Sequence, residues 1–103
     1  MQFDVFVNPI PAARRAYPYL VVLQSDFAQG ARDQIVAPMV PRNSLAKTVG
    51  RLTPTVTIES TQCTVLVPEL AAVRRRDLDR CIGSLSNART ELLAAIDHLF
   101  FGV

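Results

Sequence analysis

There is no tryptophan in this 103-residue chain, and it carries only one histidine, two cysteines and four glycines. Each scarcity removes a class of chemistry. The glycines form neither a phosphate-cradling loop nor a dinucleotide fingerprint. His98 alone supports no Ser-His-Asp set, and no HExxH occurs. Cys63 and Cys81 stand in no CxxC and have no histidine beside them, so no zinc or other metal site is expected. They read as two reduced, mostly buried thiols, with the cytoplasm as the default location. Charge of one sign is scarce as well: 11 Lys and Arg against 9 Asp and Glu leave a net +2. That is too weak for non-specific nucleic-acid binding. No apolar run reaches membrane-spanning length, and Asp4 interrupts the N-terminal stretch, so neither a span nor a signal peptide is expected. No cofactor is implied, and composition favours a binding module over an enzyme.

Apolar material is plentiful. Half of the residues are hydrophobic and mean hydropathy is +0.23. The length predicts one domain over residues 1–103. A domain of this size buries a limited share of its surface, which makes a homo-oligomer plausible.

Residues 2–7 alternate and predict a strand, with Phe3, Val5 and Val7 on one face and Gln2, Asp4 and Phe6 on the other. Phe6 reads as a covering contact on a neighbouring strand. Pro9, Pro11 and Pro18 each remove an N–H and make residues 8–18 a loop. Arg14 and Arg15 put positive charge there, which suits a solvated loop or an acidic partner. Residues 19–24 are nearly continuous in apolar side chains, as in a strand covered on both faces. Ser25 and Asp26 then turn the chain, and Gln29-Gly30 closes the loop.

Residues 34–40 predict the next strand, with Pro38 marking an edge or a bulge. Leu45, Val49 and Leu52 suggest a short helix or a structured connection, stopped by Gly50 and Pro54. Val56 and Ile58 point inward from residues 55–59, Ser60-Thr61 turns, and Cys63, Val65 and Val67 alternate on the returning arm of a hairpin. Residues 68–73 read as a connection. Residues 74–80 hold four arginines and two aspartates. They read as a solvated edge strand whose charge blocks edge pairing, with a nucleic-acid patch as the minority reading.

The last stretch predicts a helix, capped by Ser86 or Asn87, with Ala88, Leu92, Ala95, Ile96 and Leu99 on one apolar stripe. The final Phe100-Phe101-Gly102-Val103 contains nothing polar. Two adjacent rings cannot both face the core from one helical face. Pattern alone leaves two readings open: both rings pack with Gly102 as a helix stop, or one ring projects as a docking knob. About five antiparallel strands and one C-terminal helix predict a mainly β fold, a partly closed barrel or twisted sheet packed by the helix.

Five blocks, in order, carry a resemblance: Met1-Gln2-Phe3-Asp4-Val5-Phe6, Leu23-Gln24-Ser25-Asp26, Ile35-Val36-Ala37-Pro38-Met39, Pro54-Thr55-Val56-Thr57-Ile58 and the ending from Ala95 to Val103. Together the chain resembles the CcdB family of toxins. The resemblance implies an SH3-like, partly open antiparallel barrel, also shared by the MazF and Kid toxins, with a C-terminal helix. It implies a homodimer that binds the DNA gyrase A subunit, traps the cleaved gyrase–DNA complex and is neutralised by a CcdA-like antitoxin. Phe101, Gly102 and Val103 are then the gyrase-docking residues. Phe101 stands where the best-known member has tryptophan; its ring would stack on a gyrase arginine and the Val103 carboxylate could pair with one. Gln2, Phe3, Phe6 and Ser25 match further family positions around that surface, while Asp97 departs from the family asparagine. Residues 8–18 form a longer, more proline-rich loop than in the plasmid relative, so the antitoxin partner is expected to differ. Arg14, Arg15, Arg74 and Arg75 are candidate antitoxin contacts. Two alternatives stay open: a ribonuclease toxin of the MazF/Kid type using Arg14, Arg74, Asp77 and His98, and a non-toxic relic that binds only antitoxin.

Overall fold

The computed structural model describes residues 1–28, 32–43 and 48–103. Among them are seven strands: β1 (Asp4–Val7), β2 (Tyr19–Val22), β3 (Asp33–Pro41), β4 (Thr55–Ile58), β5 (Thr61–Val65), β6 (Ala71–Arg74) and β7 (Cys81–Ser84). They form one antiparallel sheet in the order β4-β5-β3-β2-β1-β7, with β6 also paired to β3. The sheet curls into a half-barrel, as the mainly β, SH3-like expectation requires. A one-turn helix α1 (Pro11–Arg14) and the C-terminal helix α2 (Arg89–Phe101) complete it.

Alternation decides both faces of the sheet. Val5, Val21, Ala37 and Met39 point to one face and meet Leu92 and Ala95 of α2 in the main core. Their neighbours Leu20, Val22 and Val36 point to the other face, where Phe6, Val73 and Leu78 cover them. Phe6 is therefore the covering contact that its position predicts. β2 is apolar on both sides for the same reason.

Several expectations are corrected. Pro38 lies in β3, which is an interior strand. On one side β3 pairs with β6 through Val36 and with β5 from Met39, and Pro38 falls between the two. Its carbonyl accepts from Leu66 N, and the Leu66 carbonyl takes the N–H of Glu69 (3.0 Å). The missing proline donor thus coincides with a change of partner strand. Residues 8–18 contain α1, which Pro11 opens because its fixed φ suits a first helical position. Residues 68–73, read as a connection, supply β6. Its side chains are mostly exposed and show no alternation; pairing with β3 makes it a strand. The 74–80 run is not an edge strand: only Arg74 belongs to β6, and Arg75–Asp77 form a 3-10 turn.

The central hairpin turns at Glu59 and Ser60 rather than at Ser60-Thr61. Their φ values of 48° and 64° are the left-handed pair that a two-residue type I′ turn needs between Ile58 and Thr61. Neither Ser86 nor Asn87 caps α2 by its side chain; a 3-10 turn over Ser86–Ala88 leads into the helix instead. The Gln29-Gly30 closure and residues 44–47 of the expected short helix lie outside the described residues; Gly50–Leu52 form a 3-10 turn.

Candidate functional site

α2 carries its apolar stripe inward, as its spacing predicts: Leu92 and Ala95 are buried, and Ala88, Ile96 and Leu99 pack against the same core. The helix ends where Gly102 takes φ 73°, ψ 21°, and its N–H bonds the His98 carbonyl at 3.1 Å. A left-handed residue at this position costs a glycine little and any other L-residue more. A Cβ added to Gly102 would meet nothing within 4 Å, so the conformation, and no lack of space within this chain, is what selects glycine.

The tip beyond that turn is exposed. Phe100 is 60 % exposed, Phe101 75 % and Val103 68 %, so both rings leave the core, beyond either reading that pattern alone left open. Phe100 borders an apolar hollow of about 310 Å³ with Leu23, Gln24, Ile35, Leu70 and Ile96. Arg51, in the 3-10 turn against α2, donates from its guanidinium to the Val103 main-chain oxygen at 3.2 Å. Nothing in the sequence pattern pointed to Arg51. The His98 Nδ1 is buried and has no hydrogen-bond partner among the described residues.

A second polar group sits at the opposite end of α2. Arg89 donates to Gln2 Oε1 at 3.2 Å and lies 5.9 Å from the Phe3 ring centroid. Gln2 donates from Nε2 to the Leu23 carbonyl at 3.0 Å and from its backbone to Asp26 Oδ1 at 2.7 Å. Ser25 Oγ accepts from Phe27 N at 3.0 Å, the local turn expected of Ser25-Asp26. Twelve residues separate Arg89 from Phe101, roughly 18 Å along the helix at its standard rise. The Leu23–Gln24 rim of the hollow beside Phe100 joins the tip to the Gln2–Ser25 group. Phe3 is 1 % exposed and belongs to the core, at a left-handed φ of 69°. It supports the patch from beneath. Phe6 lies on the other face of the sheet. Phe27 is 102 % exposed; its one sequence signal is an aromatic placed just after a Ser-Asp turn.

The arginines also divide. Arg14 donates from Nε to the Asn8 carbonyl at 2.8 Å, and Arg15 follows α1 in the loop entering β2. Arg74 pairs with Asp33 (Nε to Oδ1, 3.5 Å), and Arg75 donates its N–H to the Arg32 carbonyl. Tyr19, next to the first loop, pairs with Met39, whereas Arg74 pairs with Asp33. The two arginine groups thus sit at opposite ends of β3, roughly 20 Å apart at 3.3 Å per residue.

Both cysteines are free, but only Cys63 is buried; Cys81 is exposed, contrary to the expectation of mostly buried thiols. Burial raises the Cys63 thiol above its ordinary pKa. Among the described residues no three His, Cys, Asp or Glu side chains come together as a metal site. No described helix is long and apolar enough to cross a membrane. The family model described as CcdB protein matches residues 2–102. No curated protein matches the chain.

Proposed function

The chain belongs to the CcdB family, a family of toxin–antitoxin toxins, and from that premise we propose that it poisons DNA gyrase. Acting as one cytoplasmic domain over residues 1–103 and as a homodimer, it docks on the gyrase A subunit and holds the enzyme with its DNA cleaved. Replication and transcription then stop. It acts by binding and catalyses nothing itself. A CcdA-like antitoxin neutralises it, and neither nucleic acid nor membrane is bound directly.

The observation that carries this reading is the tip. An aromatic ring, 75 % exposed, stands beside a left-handed glycine and a 68 % exposed valine. Such a ring offers its face to a cation, and a guanidinium stacked on it is worth roughly 0.5–2 kcal/mol depending on desolvation. Phenyl attracts a cation less than indole does, so affinity is lower than with tryptophan in its place. Gly102 sets the direction in which Phe101 and Val103 leave the helix. Gln2 and Ser25 supply further contacts, with Phe3 beneath them; Phe6 acts from the far face as support for the sheet.

The test is a supercoiled-plasmid reaction with gyrase, ATP and the purified protein, stopped with detergent and protease. Linear, gyrase-dependent DNA is expected, and removal of residues 101–103 should abolish it while the domain stays folded. Linear DNA from the truncated chain would sink the docking model. RNA cleavage without linear DNA would move the assignment to a ribonuclease.

A further inference from the structure

The sheet face turned away from α2 carries a cavity that the tip does not use. Residues 74–80 leave β6, turn at Arg75–Asp77 and cross this face, anchored by Leu78 on the cluster of Leu20, Val22 and Val36. A cavity of about 250 Å³ opens there, lined by Met1, Phe6, Val22, Gln34, Arg75 and Leu78. Gln34 is 9 % exposed, yet its side-chain amide makes no hydrogen bond among the described residues. The amide borders the cavity and is not sealed from water, so its N–H and carbonyl groups are open to a ligand that enters there. Arg75 stands at the same cavity, and among the described residues it is in no ion pair; nor are Arg76 and Arg80 nearby in the run.

These groups select a carboxylate on an aliphatic stem. The amide N–H and the guanidinium both donate to an anion. Phe6, Val22 and Leu78 give the stem apolar walls. A cation would face Arg75, and a wholly apolar group would leave Gln34 unsatisfied. The exposed, unpaired Arg76 and Arg80 extend the positive charge beyond the cavity, which favours a chain of acids over a single small one. We propose that this cavity is the socket for a glutamate side chain of an acidic antitoxin segment: Gln34 and Arg75 bind its carboxylate, and the flanking arginines bind neighbouring acids. The proposal rests on the reading of the chain as an antitoxin-neutralised toxin. It gives the arginine run, which the tip leaves without a role, a specific one.

The test titrates the full chain against a short fluorescein-labelled peptide of alternating glutamate and leucine, followed by anisotropy. Its counterpart with glutamine for glutamate should bind at least tenfold more weakly. Arg75→Gln and Gln34→Met should each weaken the glutamate peptide about tenfold, as expected for loss of one charge-assisted hydrogen bond. Arg42→Gln, at the far end of β3, should not. Arg75 is exposed, so its substitution leaves the fold intact even where Gln34→Met does not. The Gln34 side-chain amide resonances should shift on adding peptide to the unsubstituted protein. Equal binding of the two peptides, or full binding by folded Arg75→Gln, overturns the socket. Displacement by free glutarate at the peptide's own concentration overturns the peptide assignment and makes the cavity a small-acid site. The gyrase reading fails separately, by absence of linear DNA with the unsubstituted chain.

Discussion

Gly102 offers a way to separate two roles that a glycine at a docking tip can play. One is conformational: φ 73° ends the helix and aims the last residues. The other is close approach of its backbone to the partner. Gly102→Ala places an L-residue in the left-handed region at a cost of about 1–2 kcal/mol. A Cβ there meets nothing within 4 Å, so no steric contribution within the chain adds to this. The last turn can escape the strain by opening, which releases the Gly102 N–H bond to His98 O and the Arg51 bond to Val103. The native tip is then populated roughly 5–30-fold less. The midpoint of the linear-DNA titration should rise by that factor, while Tm changes little because only the last turn is affected. D-alanine, introduced by chemical ligation, favours positive φ and should restore the native tip. It should therefore titrate like glycine if conformation is the whole role. Two results would refute the reasoning. L-alanine titrating like the unsubstituted protein would mean the left-handed end is not used. D-alanine failing as badly as L-alanine would mean that the partner, and not the helix end, requires glycine.

Replacing Phe101 by tryptophan should lower the concentration for half-maximal linear DNA about fivefold, the equivalent of roughly 1 kcal/mol of stronger cation attraction, and alanine should raise it. Tm should not move in either case, and unchanged titrations would remove Phe101 from the docking contact. His98→Leu should stabilise the fold by about 1 kcal/mol, because it removes a buried nitrogen with no partner. That is a Tm rise of about 4–8 °C, and a fall in Tm would show that the imidazole is satisfied. With an aromatic disulfide reagent, Cys81 should react in the native protein and Cys63 only on unfolding. Because burial raises the Cys63 pKa, the folded state holds its proton longer than the unfolded state. Stability is intact below the ordinary thiol value and declines as pH rises through the raised one. Cys63→Val should flatten that alkaline loss in chemical-denaturation curves measured across pH.

Much of this molecule is legible in residue order, because local periodicity carries it. The alternation of β1, β4 and β5, the doubly apolar β2 and the stripe of α2 each follow from side chains sharing a face. The left-handed stop at Gly102 follows from the one residue that enters that region without cost. Other features depend on contacts distant in sequence. β6 shows no pattern of its own and exists because β3 offers it an edge. Pro38 signals an edge to any local rule, yet it sits inside the sheet where one partner strand gives way to another. The arginine run looks like a charged strand until Leu78 is seen anchoring it across the second face, over an unpartnered Gln34. Likewise, Gln2, Phe3 and Ser25 stand near one another in the family pattern, but only the fold divides them into surface groups and their buried support. Composition and spacing determine which faces are apolar; which apolar faces meet, and which polar groups are left without partners, is decided by the pairing of the whole chain.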